Sequence, residues 1–159
     1  MLKVSQKLEY AIRAMVELTV RRSRDASALV PAREIAQAQQ IPLRFLEQQL
    51  GALSKAGLVE SFRGAGGGCR LARDPDDIRM SDVAEAIEGH WTPMACLEPD
   101  DHTCFADSRC GLQGFWGDVA AAVQRVFDDT TVAALAERHL GTEPGRTLIA
   151  PEQLLSRLS

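Results

Sequence analysis

Residues 43–72 constrain the fold more than any other part of the chain. Leu43, Leu46, Leu50 and Leu53 recur at three and four residues, the apolar stripe of a helix over about 43–56. Pro42 suits its first turn and Gly57 its C-terminal cap. Leu58-Val59-Glu60-Ser61-Phe62 then alternates like a strand, and Cys69-Arg70-Leu71-Ala72 can return antiparallel to it. Between them Arg63-Gly64-Ala65-Gly66-Gly67-Gly68 makes a tight, basic, glycine-rich tip. A phosphate-cradling glycine loop does not fit, because a strand precedes these glycines and no helix follows. Upstream, a short helix is expected over about 32–38, with Pro31 near its start and Ile35 and Ala36 turned inward. Gln39, Gln40 and Ile41 join the two helices. Helix, short turn, helix and a basic two-stranded ribbon are the parts of a winged helix-turn-helix.

The flanking segments read as more helix. Leu8, Ala11, Ile12, Met15, Leu18 and Thr19 form one face of a helix over 5–22, and a polar loop follows through Arg24 and Asp25. Residues 74–80 are a polar connector with Pro75, and Ser81 is expected to cap a helix over 82–88 closed by Gly89. Residues 90–110 show no periodicity, a length of irregular chain that usually carries function or is disordered. Leu112, Phe115, Trp116, Val119, Val123, Val126 and Phe127 then mark a long amphipathic helix over 111–128. Its stripe is wide for a small domain to cover, which suggests a dimer seam, with ordinary core as the alternative. A further helix is expected over 130–139, and the leucines of 147–159 suit a short docking helix. The expected fold is mainly α with a small β wing: a winged helix-turn-helix plus a long dimerisation helix. Residues 1–73 would form the winged helix-turn-helix DNA-binding domain, 74–140 the cysteine-bearing loop and dimerisation helices, and 141–159 a tail of unknown role.

Charge is segregated along the chain. Residues 1–73 hold 12 Lys/Arg and 6 Asp/Glu, a net of +6; the remainder holds 6 and 16, a net of −10, giving −4 for the whole. A basic half of this kind suits a polyanionic partner. No apolar run reaches the length of a membrane span or forms a signal-peptide core, so a cytoplasmic protein is expected. In a reducing compartment four cysteines favour metal or redox chemistry over a disulfide framework. No Walker loop, His-Glu-x-x-His or nucleophile elbow is present, and no enzyme is expected.

Cys96, Cys104 and Cys110 lie within the irregular stretch, spaced C-x7-C-x5-C. Structural zinc sites gather thiolates as closer pairs, because one tight turn presents two ligands to one ion. Wider spacing suits a larger object, such as an iron–sulfur cluster of either the [2Fe–2S] or the [4Fe–4S] type. Redox thiols and zinc stay open as alternatives. Three cysteines also leave one ligand unassigned.

Together these segments resemble the Rrf2 family of winged-helix transcription regulators over about residues 1–140. Glu9-Tyr10-Ala11-Ile12-Arg13 is similar to its opening helix, and Arg33-Glu34-Ile35-Ala36 and Phe45-Leu46-Glu47-Gln48 to its helix-turn-helix. Lys55-Ala56-Gly57-Leu58-Val59 and the glycine-rich tip resemble its wing. The three cysteines, followed by Gly111-Leu112 and the Trp116 helix, resemble its cluster-binding loop. The resemblance implies a homodimeric repressor or activator that binds a partly palindromic operator and senses iron, nitric oxide or redox state through an iron–sulfur cluster. A regulator of the same fold using thiols or zinc is the alternative, and a cluster carrier a distant one.

Some members place a His three residues after the last cysteine; here that position is Gln113, a poor ligand. An acidic residue of the first helix from the other subunit completes the site in another branch, and Glu9 falls at that place, with His102 as a further candidate. Cys69, in the wing, reads as a small strand residue. At the start of the second helix of the motif, Arg44, Glu47 and Gln48 are expected to read guanine, cytosine N4 and adenine, and Phe45 a thymine methyl. Arg63 suits a narrow minor groove, and Lys55, Arg70 and Lys7 suit phosphates.

Overall fold

The structure is a computed structural model describing residues 4–89, 97 and 111–141. Cys96, His102, Cys104, Cys110 and the tail after residue 141 therefore lie outside the described residues.

The central element is helix α1 (Gln6–Arg24), which packs against most of the others. Ser5 caps it, its hydroxyl accepting from the Leu8 N–H at 3.1 Å. That hydroxyl also donates to the Glu88 carboxylate. Leu8, Ala11, Met15 and Leu18 face the main core, while Val16 and Val20 face the other way, onto Ala136. Helices α2 (Ala32–Gln39) and α3 (Leu43–Lys55) complete the helix-turn-helix. Ile35, Leu46, Leu50 and Leu53 pack inward with Leu58. The turn between them passes through Gln40 at φ 51°, ψ 42°, where its N–H reaches the carbonyls of Ala36 and Gln37 and ends α2.

Strands β1 (Val59–Phe62) and β2 (Gly68–Leu71) pair antiparallel, with Glu60 opposite Arg70 and Phe62 opposite Gly68. Val59, Cys69 and Leu71 are buried on the inner face. Val30 adds one bridge to β2, exchanging hydrogen bonds of 2.9 and 2.8 Å with Cys69 and tying the wing to the segment before α2. Cys69 is a buried thiol 3.6 Å from the Ser61 hydroxyl, as suits a small strand residue.

After a 3₁₀ turn at Pro75–Asp77 comes helix α4 (Met80–Glu88). It starts two residues earlier than the sequence predicts. Ser81 sits inside its first turn, and the Asp82 carboxylate instead accepts from the Arg79 N–H at 3.0 Å. Helix α5 (Gly111–Asp129) follows the undescribed loop, and α6 (Val132–Leu140) begins where the Thr131 hydroxyl accepts from the Ala134 N–H at 3.1 Å, two residues later than expected. Ile78, Met80, Val83 and Val132 join the same core as the helix-turn-helix. Helix α5 buries no residue; Phe127, in its last turn, packs against the core. No helix among the described residues is long and apolar enough to cross a membrane.

Candidate nucleic-acid interface

The burial pattern of α3 separates two faces. Leu46, Gln49, Leu50 and Leu53 are buried, which turns Arg44, Phe45, Glu47 and Gln48 outward as one exposed patch on its first turns. Phe45 is 53% exposed, an unusual position for an aromatic ring that only stabilises a core. Lys55 is exposed in the last turn of α3, and Arg63 at the wing tip. Neither these two nor Arg44 has an acidic partner among the described residues. Among the described residues, three guanidinium or ammonium groups on α3 and the wing thus have no acidic partner.

Arg70 differs. Its Nε donates to the Glu60 carboxylate at 2.7 Å, and its guanidinium lies 5.1 Å from the centre of the Phe62 ring. Phe62 is itself 42% exposed. Neither Glu60 nor Phe62 stands out in the sequence, where both are simply residues of an alternating strand. Counting outward from the glycine-rich tip would have paired Glu60 with Arg70, because cross-strand neighbours follow from the hairpin register.

A polar chain runs back from α2 to α1. The exposed Glu9 pairs with Arg13 one turn on, at 3.5 Å. Arg13 donates to the main-chain carbonyl of Gln39, and its Nε lies 3.4 Å from the Gln39 side-chain oxygen. Gln39, buried, donates from Nε2 to Glu17 at 2.9 Å. Glu17 accepts from Arg21 at 2.8 Å, a hydrogen bond that raises the Arg21 pKa above its already high value. Arg21 then reaches Glu34 of α2 at 3.4 Å. Periodicity showed none of this, because these residues are polar and their partners lie on different helices. The described residues hold no cluster of three or more His, Cys, Asp or Glu fit for a metal ion; the three loop cysteines are not among them.

An exposed polar helix face, placed beside a basic hairpin by a small helical core, defines a winged-helix DNA-binding transcription regulator. The family model for Rrf2, described as iron-dependent transcriptional regulators, matches residues 4–138, and the chain belongs to the Rrf2 family. The regulator IscR of Vibrio atlanticus is 32% identical over 84% of this chain and 75% of its own. CymR of Bacillus subtilis is 33% identical over 85% of this chain and 90% of its own. The solved structure of CymR, titled the global cysteine regulator of that organism, matches with a TM-score of 0.72, covering 87% of this chain and 98% of CymR. The IscR structure from T. potens matches at 0.68 and 31% identity, covering 91% and 94%. These relatives are regulators of transcription, and this chain is a regulator and not an enzyme.

Proposed function

We propose that this regulator acts in the cytoplasm as a homodimeric repressor whose affinity for a partly palindromic operator is set by an iron–sulfur cluster, [4Fe–4S] or [2Fe–2S]. One observation carries the reading: the DNA-binding face shares a chain with α5, which starts at Gly111 directly after Cys110 and buries none of its residues. A two-fold dimer through that helix would set two copies of α3 about 34 Å apart, one helical turn of DNA. Arg44, Glu47 and Gln48 would read base edges, Phe45 a thymine methyl, and Arg63 the minor groove. Lys55, Arg70 and Lys7 would hold phosphates.

Cys96, Cys104 and Cys110 would hold the cluster with Glu9 of the partner subunit. Three thiolates and one exposed carboxylate are a donor set iron accepts, the oxygen being the weakest donor. When bound, the cluster supplies a centre that reacts with nitric oxide or oxygen or responds to iron supply. The chain's own residues transmit the result. Glu9 shares its charge with Arg13, and Arg13 grips the main chain of Gln39 at the end of α2. A change in what draws Glu9 therefore alters the hold on the α2–α3 turn, which aims α3.

The test is anaerobic purification with an absorption spectrum and iron and acid-labile sulfide counts, on wild type and Cys104→Ala. Iron and sulfide present in the first and lost in the second are expected. A reproducibly colourless protein with zinc or free thiols, even after reconstitution, would overturn the reading. Similarity to CymR as high as to IscR supports a second reading, the same DNA-binding unit with thiols as the sensor. A reversible disulfide in the active form would favour it.

A further inference from the structure

The outer face of the wing carries an arrangement that the base-reading and sensing residues do not use. Glu60, Phe62 and Arg70 alternate with the buried Val59, Cys69 and Leu71, so they share the solvent side of the hairpin. Arg70 is held there twice. The Glu60 carboxylate takes its Nε at 2.7 Å, and the Phe62 ring lies under its guanidinium at 5.1 Å. Gly68, opposite Phe62, has no side chain to crowd the stack. Both members of the ion pair keep 44% of their side-chain surface in water, so the pair is open to exchange. A carboxylate and a phosphodiester offer guanidinium the same kind of charged acceptor. Arg63, three residues from Glu60, is exposed at the wing tip and unpaired among the described residues.

We propose that Glu60 is a built-in stand-in for a DNA phosphate: it holds Arg70 on the Phe62 ring in free protein and competes with the backbone for that guanidinium on binding. The occupant is the phosphodiester backbone of duplex DNA, and the contact is independent of sequence. Removing Glu60's charge leaves Arg70 poised on Phe62 with no internal acceptor, so backbone affinity rises through Arg70. This rests on the DNA-binding reading of the wing.

The test measures binding to a mixed-sequence duplex across a range of salt concentrations for wild type, Glu60→Gln, Arg70→Gln and the double variant. Glu60→Gln is expected to tighten binding about 3- to 10-fold near 0.1 M salt and to steepen the salt slope by about one ion per wing. In the Arg70→Gln background the same change is expected to give little gain. No tightening in Glu60→Gln overturns the proposal. So does an equal gain in both backgrounds, since that is the effect of any acidic side chain near DNA. Wild-type protein that fails to bind the duplex even at low salt overturns the DNA reading beneath it, and that result is visible before any variant is compared.

Discussion

Gly68 is the residue on which the placement of the wing turns. A Cβ there would lie 2.8 Å from both the carbonyl carbon and the oxygen of Val30, and these are backbone atoms. They cannot swing away, because Val30 is bound to Cys69 through two main-chain hydrogen bonds. Gly68→Ala should therefore push β2 off the Val30 segment. The expected cost is about 1–3 kcal/mol, the usual scale of overpacking, read as a lower urea midpoint with an unchanged slope. An unaltered midpoint would mean the wing moves freely on the body. Asp25 shows a smaller residue effect. Its carboxylate accepts from both the side chain and the N–H of Ser27, and these bonds lower its pKa. A carboxyl whose pKa is lower folded than unfolded stabilises above the unfolded value, and that contribution fades as pH falls through the folded one. Asp25→Ala should thus lower the melting temperature at neutral pH, and the difference should shrink in acid below the usual carboxylate range. A constant difference at all pH values would point to lost turn geometry and not to the charge.

At the scale of elements, α3 would on the proposed reading divide its labour between its two ends. Arg44 stands in the first turn, where a bidentate contact to guanine would discriminate by about 1–3 kcal/mol. Lys55 stands in the last turn, suited to a phosphate. Arg44→Ala should relax preference at one operator position in a binding-site selection. Lys55→Ala should weaken all sequences alike and reduce the salt slope by about one. The opposite pattern would mean that α3 lies in the groove the other way round. Helices α1 to α3 and the hairpin were legible in the sequence, because leucine spacing, two prolines and a glycine-rich tip are local signals. The bridge from Val30 to Cys69 was not, since one residue pair 39 positions apart leaves no periodic mark. The start of α4 was misread for a local reason: Ser81 is the commoner cap, but the Asp82 carboxylate reaches back to the Arg79 N–H and draws the helix one turn-fraction earlier. In the candidate site, the motif alone placed Arg44, Phe45, Glu47 and Gln48 at the start of α3, and the structure leaves all four exposed there. The Arg13–Gln39 and Glu60–Arg70 pairs were missed because each joins two elements through polar atoms.

For the whole molecule, the question is what covers α5. Its stripe of Leu112, Phe115, Val119, Val123 and Val126 returns to nearly the same angle every three or four residues, a continuous seam. Leu112, Phe115 and Val126 are 65%, 56% and 64% exposed in the single chain, too much contiguous apolar surface for a helix left in water. On the proposed reading, a second copy of the same helix would supply a matching stripe, and the isologous contact would fix the two-fold axis that a partly palindromic operator requires. Val126→Glu tests this without touching the core of the single chain, where that side chain faces water. Burying an unpaired carboxylate at a seam costs several kcal/mol, so the variant is expected to sediment as a folded monomer. One half-site would then bind alone, and operator affinity should fall at least about 100-fold, the equivalent of some 3 kcal/mol. Binding to a single half-site should stay near its wild-type value, which separates loss of pairing from loss of the DNA face. If Val126→Glu remains a dimer with full operator affinity, the seam lies elsewhere and the exposed stripe of α5 must meet a different surface.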